Sequence, residues 1–106
     1  MKNTDIVNKL LIMGKIPMDS ELSDEKFKEY DELITMFEES LTLEEAEQVI
    51  TLFSDDCDDL NWGLLHIIET VPYAESEKYK KIISKCPNEE YREILEERFN
   101  NWLKKQ

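Results

Sequence analysis

The stretch Ser54–Thr70, SDDCDDLNWGLLHIIET, carries the side chains with the most chemical capacity: Asp55, Asp56, Asp58 and Asp59 around Cys57, then Trp62, His66 and Glu69. Clustered aspartates invite calcium, whose helix–loop–helix sites need carboxylates at alternate loop positions, a glycine at the sixth and a bidentate glutamate at the twelfth. A loop begun at Asp55 puts Cys57 third, Leu60 sixth and His66 twelfth, and one begun at Asp56 puts Leu60 fifth, so the pattern fails. Zinc fares no better. His66 is the only histidine, and a site would have to be completed by Cys57 and carboxylates. An acid–base pair is conceivable because His66 and Glu69 are neighbours at i and i+3 on a helix. The chain nevertheless has no nucleophile elbow, no glycine-rich phosphate loop and no second titrating cluster to complete an active site. These patterns assign no catalytic residue, no metal ligand and no cofactor. An enzyme or metal-binding domain centred on His66 stays as the outlying alternative.

A binding role fits the same residues in another way. At about 100° per residue, Asp55, Asp58, Asp59, Trp62, His66 and Glu69 fall on one side of a helix, and Leu64, Ile67, Ile68 and Val71 fall on the other. The apolar side is a core stripe. The opposite side is either a contact surface or a second buried face, with Trp62 in the core and His66 bonded to Glu69 or a backbone carbonyl. The aspartates also have a local use, since each carboxylate near a helix N-terminus contributes roughly 0.3–1 kcal/mol through the helix dipole. One or two satisfy that need, and the surplus suits a surface that receives positive charge.

The whole chain sets the frame. Its 106 residues, 41% hydrophobic, suffice for one domain, 1–106, with a modest core. Two glycines and three prolines leave few tight turns, so the expected class is all-α, a compact stack of about six helices in antiparallel hairpins. No run reaches the roughly 20 apolar residues of a membrane span, and Asp5 and Asn8 interrupt the first residues too early for a secretory signal. The expectation is an intact cytoplasmic protein with Cys57 and Cys86 as free thiols. The formal charge of −12 is unevenly spread: residues 19–69 hold 17 acidic side chains against Lys26 and Lys28, a net of −15, while 1–18 carry +2 and 70–106 carry +1. Phosphate backbones and anionic lipids are repelled by such a surface, which argues against nucleic acid and membrane as partners. A basic protein is attracted to it, although acidity that only maintains solubility is equally compatible.

Hydrophobic spacing places the elements. A first helix is expected over about 4–14, capped by Asn3 or Thr4 and stopped at Gly14, followed by a loop, KIPMDSELS. Ser23 should cap a second helix running to about Ser40, with Phe27, Tyr30, Leu33, Ile34, Phe37 and Leu41 in one stripe. Thr42 and Glu45 form a capping box for a third helix through Val49 and Phe53. The fourth ends before Pro72, the fifth spans about 74–85 with Tyr79, Ile82 and Ile83 inward, and the last follows Pro87 and Asn88 with the stripe Tyr91, Ile94, Leu95, Phe99 and Trp102. Three helix pairs are also enough for a small helical-repeat stack, in which neighbouring pairs bury a continuous core.

The segment LFSDDCDDLNWGLLHIIET resembles the signature region of the immunity protein 30 family: an Asp-rich turn, an aromatic, a small residue, two aliphatics, His, two aliphatics and Glu. The detailed likeness covers about residues 43–71. It implies a small acidic helical protein of polymorphic or contact-dependent toxin systems, a non-catalytic inhibitor that binds a cognate toxin C-terminal domain in the cytoplasm of the producing cell. The matching positions are Asp55, Asp56, Asp58, Asp59, Trp62, His66 and Glu69, with no cofactor. The acidic residues Glu38, Glu39, Glu44 and Glu47 are rival contact positions. An acidic adaptor or DNA-mimic inhibitor of some other basic protein is the nearer alternative.

Overall fold

The computed structural model describes residues 2–72 and 75–105, and among these the chain forms six α-helices: α1 (Asn3–Met13), α2 (Asp24–Thr35), α3 (Leu43–Val49), α4 (Asp58–Ile68), α5 (Ser76–Ile83) and α6 (Glu89–Lys104). Single 3-10 turns at Asp19–Glu21 and Ile50–Leu52 complete the elements. Consecutive helices pair as α1 with α2, α3 with α4 and α5 with α6, while α1–α3–α5 and α2–α4–α6 pack side by side. That is a two-layer stack of three hairpins. Its shortest dimension of 17 Å fits two helices at the usual spacing of about 8–10 Å, and its longest is 43 Å.

Local chemistry accounts for the helix ends. Gly14 closes α1 at φ +81°, a left-handed geometry that costs glycine little, with its N–H bonded to Leu10 O at 2.9 Å. Ser23 Oγ accepts the Lys26 N–H ahead of α2, and Thr42 and Glu45 bond each other's backbone N–H at 3.1 and 3.0 Å ahead of α3. Asn88 Oδ1 accepts the Tyr91 N–H and caps α6.

Three boundaries differ from the sequence expectation, one of them the third helix, which ends at Val49 and passes into the 3-10 turn Ile50–Leu52 instead of running through Phe53. The cap of α1 is Lys2, not Asn3 or Thr4, because the Asn3 amide is committed elsewhere: its Nδ2 donates to Glu39 O at 2.9 Å and Ser40 O at 3.4 Å, pinning the α2–α3 connection. α2 stops at Thr35 instead of Ser40. Thr35 Oγ1 turns back on Glu32 O, and Glu38 and Glu39 would put like charge at the negative end of a longer helix. Leu41 is still buried, but in the connection, where its N–H donates to Thr70 Oγ1 at 2.9 Å. The expected start of the fifth helix at Ala74 lies outside the described residues.

The core between the layers takes Ile6, Val7 and Leu10 of α1, Tyr30 and Ile34 of α2, Ala46 and Val49 of α3, Leu64, Leu65 and Ile68 of α4, Ile83 of α5 and Leu95 and Phe99 of α6. The α2–α4 approach is close. A Cβ added to Gly63 would lie 2.9 Å from Ile34 Cγ2, so Gly63 lets the two helices meet.

Candidate functional site

The acidic turn lies where the connections within the three hairpins meet. Its centre is Ser54, fully buried with Asn61. Asn61 Oδ1 accepts the Ser54 N–H at 2.8 Å, and Asn61 Nδ2 donates back to Ser54 O at 3.0 Å. Ser54 Oγ donates to Pro17 O in the α1–α2 connection at 2.7 Å and accepts the N–H groups of Asp56 and Cys57. From the α5–α6 connection, Asn88 Nδ2 donates to Ser54 O at 2.9 Å and Asp55 O at 3.2 Å. The pairing is complete: among the described residues no buried side-chain nitrogen or oxygen lacks a partner.

Three of the four aspartates serve this junction. Asp55 Oδ1 meets Lys15 Nζ at 3.0 Å, and Asp56 Oδ1 accepts the Asp19 N–H at 2.7 Å, so both hold the α1–α2 connection. Asp58 Oδ1 accepts the Tyr91 hydroxyl proton at 3.1 Å and ties α4 to α6. Burial, then the hydrogen bond to Asp58 and its charge, push the Tyr91 phenol well above its ordinary range, so it remains a donor. Asp59 makes no hydrogen bond or ion pair among the described residues.

Beyond the turn, α4 presents Asp59, Trp62 and His66 outward, while Gly63 faces Ile34 of α2. Trp62 is 39% exposed. Its ring meets Tyr91 edge-on, with centroids 5.6 Å apart and planes at 79°, and the His66 ring lies 5.9 Å away. Arg98 of α6 lies over the Trp62 ring, its guanidinium carbon 5.8 Å from the centroid, and its Nη1 reaches Glu69 Oε1 at 2.6 Å. The His66 side chain is 67% exposed, with Nδ1 4.0 Å from Glu69 Oε1. Trp62 and His66 are therefore not buried as a second core face, although His66 does stand beside Glu69 as that alternative had it. The remainder of α4 supplies the whole core stripe through Leu60, Asn61, Leu64, Leu65, Ile67 and Ile68.

The structure thus brings Asp58, Asp59, Trp62, His66 and Glu69 onto one side of α4 and turns Asp55 and Asp56 toward the hairpin junction. Asn61, Ser54, Tyr91 and Arg98 were missed as determinants of this region. Asn61 had a readable signal, because it heads the apolar spacing Asn61, Leu64, Leu65, Ile68 and a polar residue there needs buried partners. The rival acidic positions separate from the α4 face. Glu44 and Glu47 belong to the α1–α3–α5 layer, where Glu47 pairs at 2.9 Å with Lys85, just past the end of α5, and Glu38 and Glu39 lie exposed in the α2–α3 connection.

The thiols offer no reactive centre. Cys57 and Cys86 are buried and unpaired, and burial is the first cause raising both above the ordinary thiol range. Among the described residues no three His, Cys, Asp or Glu side chains are arranged to hold a metal ion, and no helix is long and apolar enough to cross a membrane. Compared with protein-family models, curated proteins and solved structures, the chain matches none. The class defined by the fold is an all-α stack of three hairpins.

Proposed function

We propose that this chain is a non-catalytic immunity protein that binds and neutralises a cognate toxin domain with a basic face, acting in the cytoplasm of the producing cell. The observation that carries the reading is the exposed α4 face, where a half-exposed tryptophan held against Tyr91 adjoins Asp59, a carboxylate that makes no hydrogen bond or ion pair among the described residues. Rigid aromatic anchors beside charged groups are what binding energy concentrates on at protein interfaces. The neighbouring α2 exposes Asp24, Glu25, Glu29, Asp31 and Glu32 against Lys26 and Lys28, a net charge of −3, so long-range attraction would guide a basic partner to the same layer. Helical stacks commonly bind through such a continuous face. The resemblance of residues 43–71 to immunity protein 30 points the same way and supplies the identity of the partner class.

Co-expression tests the reading. The C-terminal domain of a large secreted-toxin gene adjacent to the gene for this chain should arrest growth when expressed alone and should be tolerated when this chain is present. Unrelieved arrest by every adjacent toxin candidate overturns the assignment and favours an acidic inhibitor of some other basic protein.

A further inference from the structure

The α4 face already holds one cation. Arg98 stands over the Trp62 ring at 5.8 Å and shares a 2.6 Å hydrogen bond with Glu69, while its own side chain remains 44% exposed. We propose that Trp62 and Glu69 form a receptor for an arginine of the basic partner, in which Arg98 is a displaceable internal occupant. The inference rests on the partner-binding reading above and specifies its central contact.

The geometry selects the chemistry. A guanidinium stacks flat on an indole and forks to a carboxylate, whereas an ammonium is a compact and more strongly hydrated point charge. The ring cannot easily move away from an incoming group, because Tyr91 supports it from the α6 side and is itself tied to Asp58. An anchor that is rigid before binding loses little conformational freedom when it binds. Charge leaves room for a cation: Asp58, Asp59 and Glu69 flank the ring, and Arg98 is the single full positive charge the described contacts place on it. His66, one turn beyond Trp62, is exposed and sets its ring 5.9 Å from the indole, which leaves the side held by Arg98 as the place for a guanidinium. Displacement is feasible because the Arg98 end of the pair is open to water, where an ion pair gains little from its partner.

Titrations of the full chain with tetra-arginine amide and with tetra-lysine amide at low salt test this without any toxin. Tetra-arginine should bind more tightly than tetra-lysine. Arg98→Gln, which vacates the platform, should strengthen tetra-arginine binding about three- to tenfold, and Trp62→Leu should weaken it by a similar factor. Equal affinity for the two peptides, or an Arg98→Gln variant that binds no more tightly than the parent, overturns the proposal. Arg98→Gln decides the matter even if Trp62→Leu compromises folding. Failure here with successful toxin rescue would leave the immunity reading standing, and the converse would leave an arginine receptor without that biological role.

Discussion

Asn61 and Ser54 are bonded to each other twice, N–H to Oδ1 at 2.8 Å and Nδ2 to carbonyl at 3.0 Å, and neither residue has measurable exposure. An amide side chain is thereby used as a piece of β-ladder, satisfying the backbone of a turn that has no neighbouring strand. The pair is the junction through which the first hairpin, by Pro17, and the third, by Asn88, reach the second. Asn61→Leu keeps the size and removes both bonds, leaving the Ser54 N–H buried without a partner. A loss of about 2–3 kcal/mol is expected, or roughly 10 °C in melting temperature for a domain of this size. Thermal and urea unfolding followed by circular dichroism measure it. A fall no larger than that of a surface substitution would show that the junction does not depend on this pair.

Gly63 and Ile34 set the spacing of α2 and α4. An alanine methyl at 63 would come 2.9 Å from Ile34 Cγ2, a branch fixed near the backbone that cannot swing aside. The gain of about 1 kcal/mol in helix propensity for Gly63→Ala should be outweighed by overpacking of roughly 1–3 kcal/mol. Ile34→Leu removes Cγ2 while keeping the volume, so the double variant should recover most of the loss. A double-mutant cycle that gives no coupling between the two positions would refute the close contact.

Core periodicity was well legible from the sequence, and pairings between distant segments were not. The stripes of α4, α5 and α6 and the Thr42–Glu45 box depend on residues a few positions apart, and all four are found as expected. The α2–α3 connection is held by Asn3, more than 30 positions away, and the roles of Asp55, Asp56 and Asp58 depend on Lys15, the Asp19 amide and Tyr91. No local pattern announces such partners. All four aspartates are exposed, as an acidic surface requires, but three of them also brace the hairpins, and Asp59 makes no hydrogen bond or ion pair among the described residues.

That division predicts different outcomes for similar substitutions. Asp59→Asn and His66→Ala lie on the exposed face and should change stability by no more than about 0.5 kcal/mol. Asp58→Asn weakens the charge-assisted bond from Tyr91 and should cost about 1 kcal/mol. Once a basic partner is in hand, Asp59→Asn should slow its association at low salt and matter less as salt rises, because exposed charges are screened within about 10 Å at 0.1 M. Stopped-flow association rates over a salt series distinguish this from a loss of contact, which would instead appear in dissociation. A pronounced fall in melting temperature for His66→Ala would contradict its exposed placement.

Alkaline pH should destabilise the fold. Cys57, Cys86, Tyr30 and Tyr91 all have native pKa values raised above their ordinary 9.0 for thiol and 10.0 for phenol, each primarily by burial. The stabilisation linked to these groups is fully present below the unfolded values. As pH rises past about 9 the unfolded chain releases protons that the native state still holds, so the unfolding free energy falls with a slope of up to about 1.4 kcal/mol per pH unit for each titrating group. Urea midpoints should be level between about pH 7 and 8 with respect to these groups and should drop between about pH 9 and 11. Tyr91→Phe removes one contributor, so the variant should start less stable, through loss of the Asp58 bond, and decline less steeply. A midpoint independent of pH across the alkaline range would mean that these side chains are solvated in the native protein, which is incompatible with the packing of Tyr91 against Phe53 and Trp62 at 5.7 and 5.6 Å.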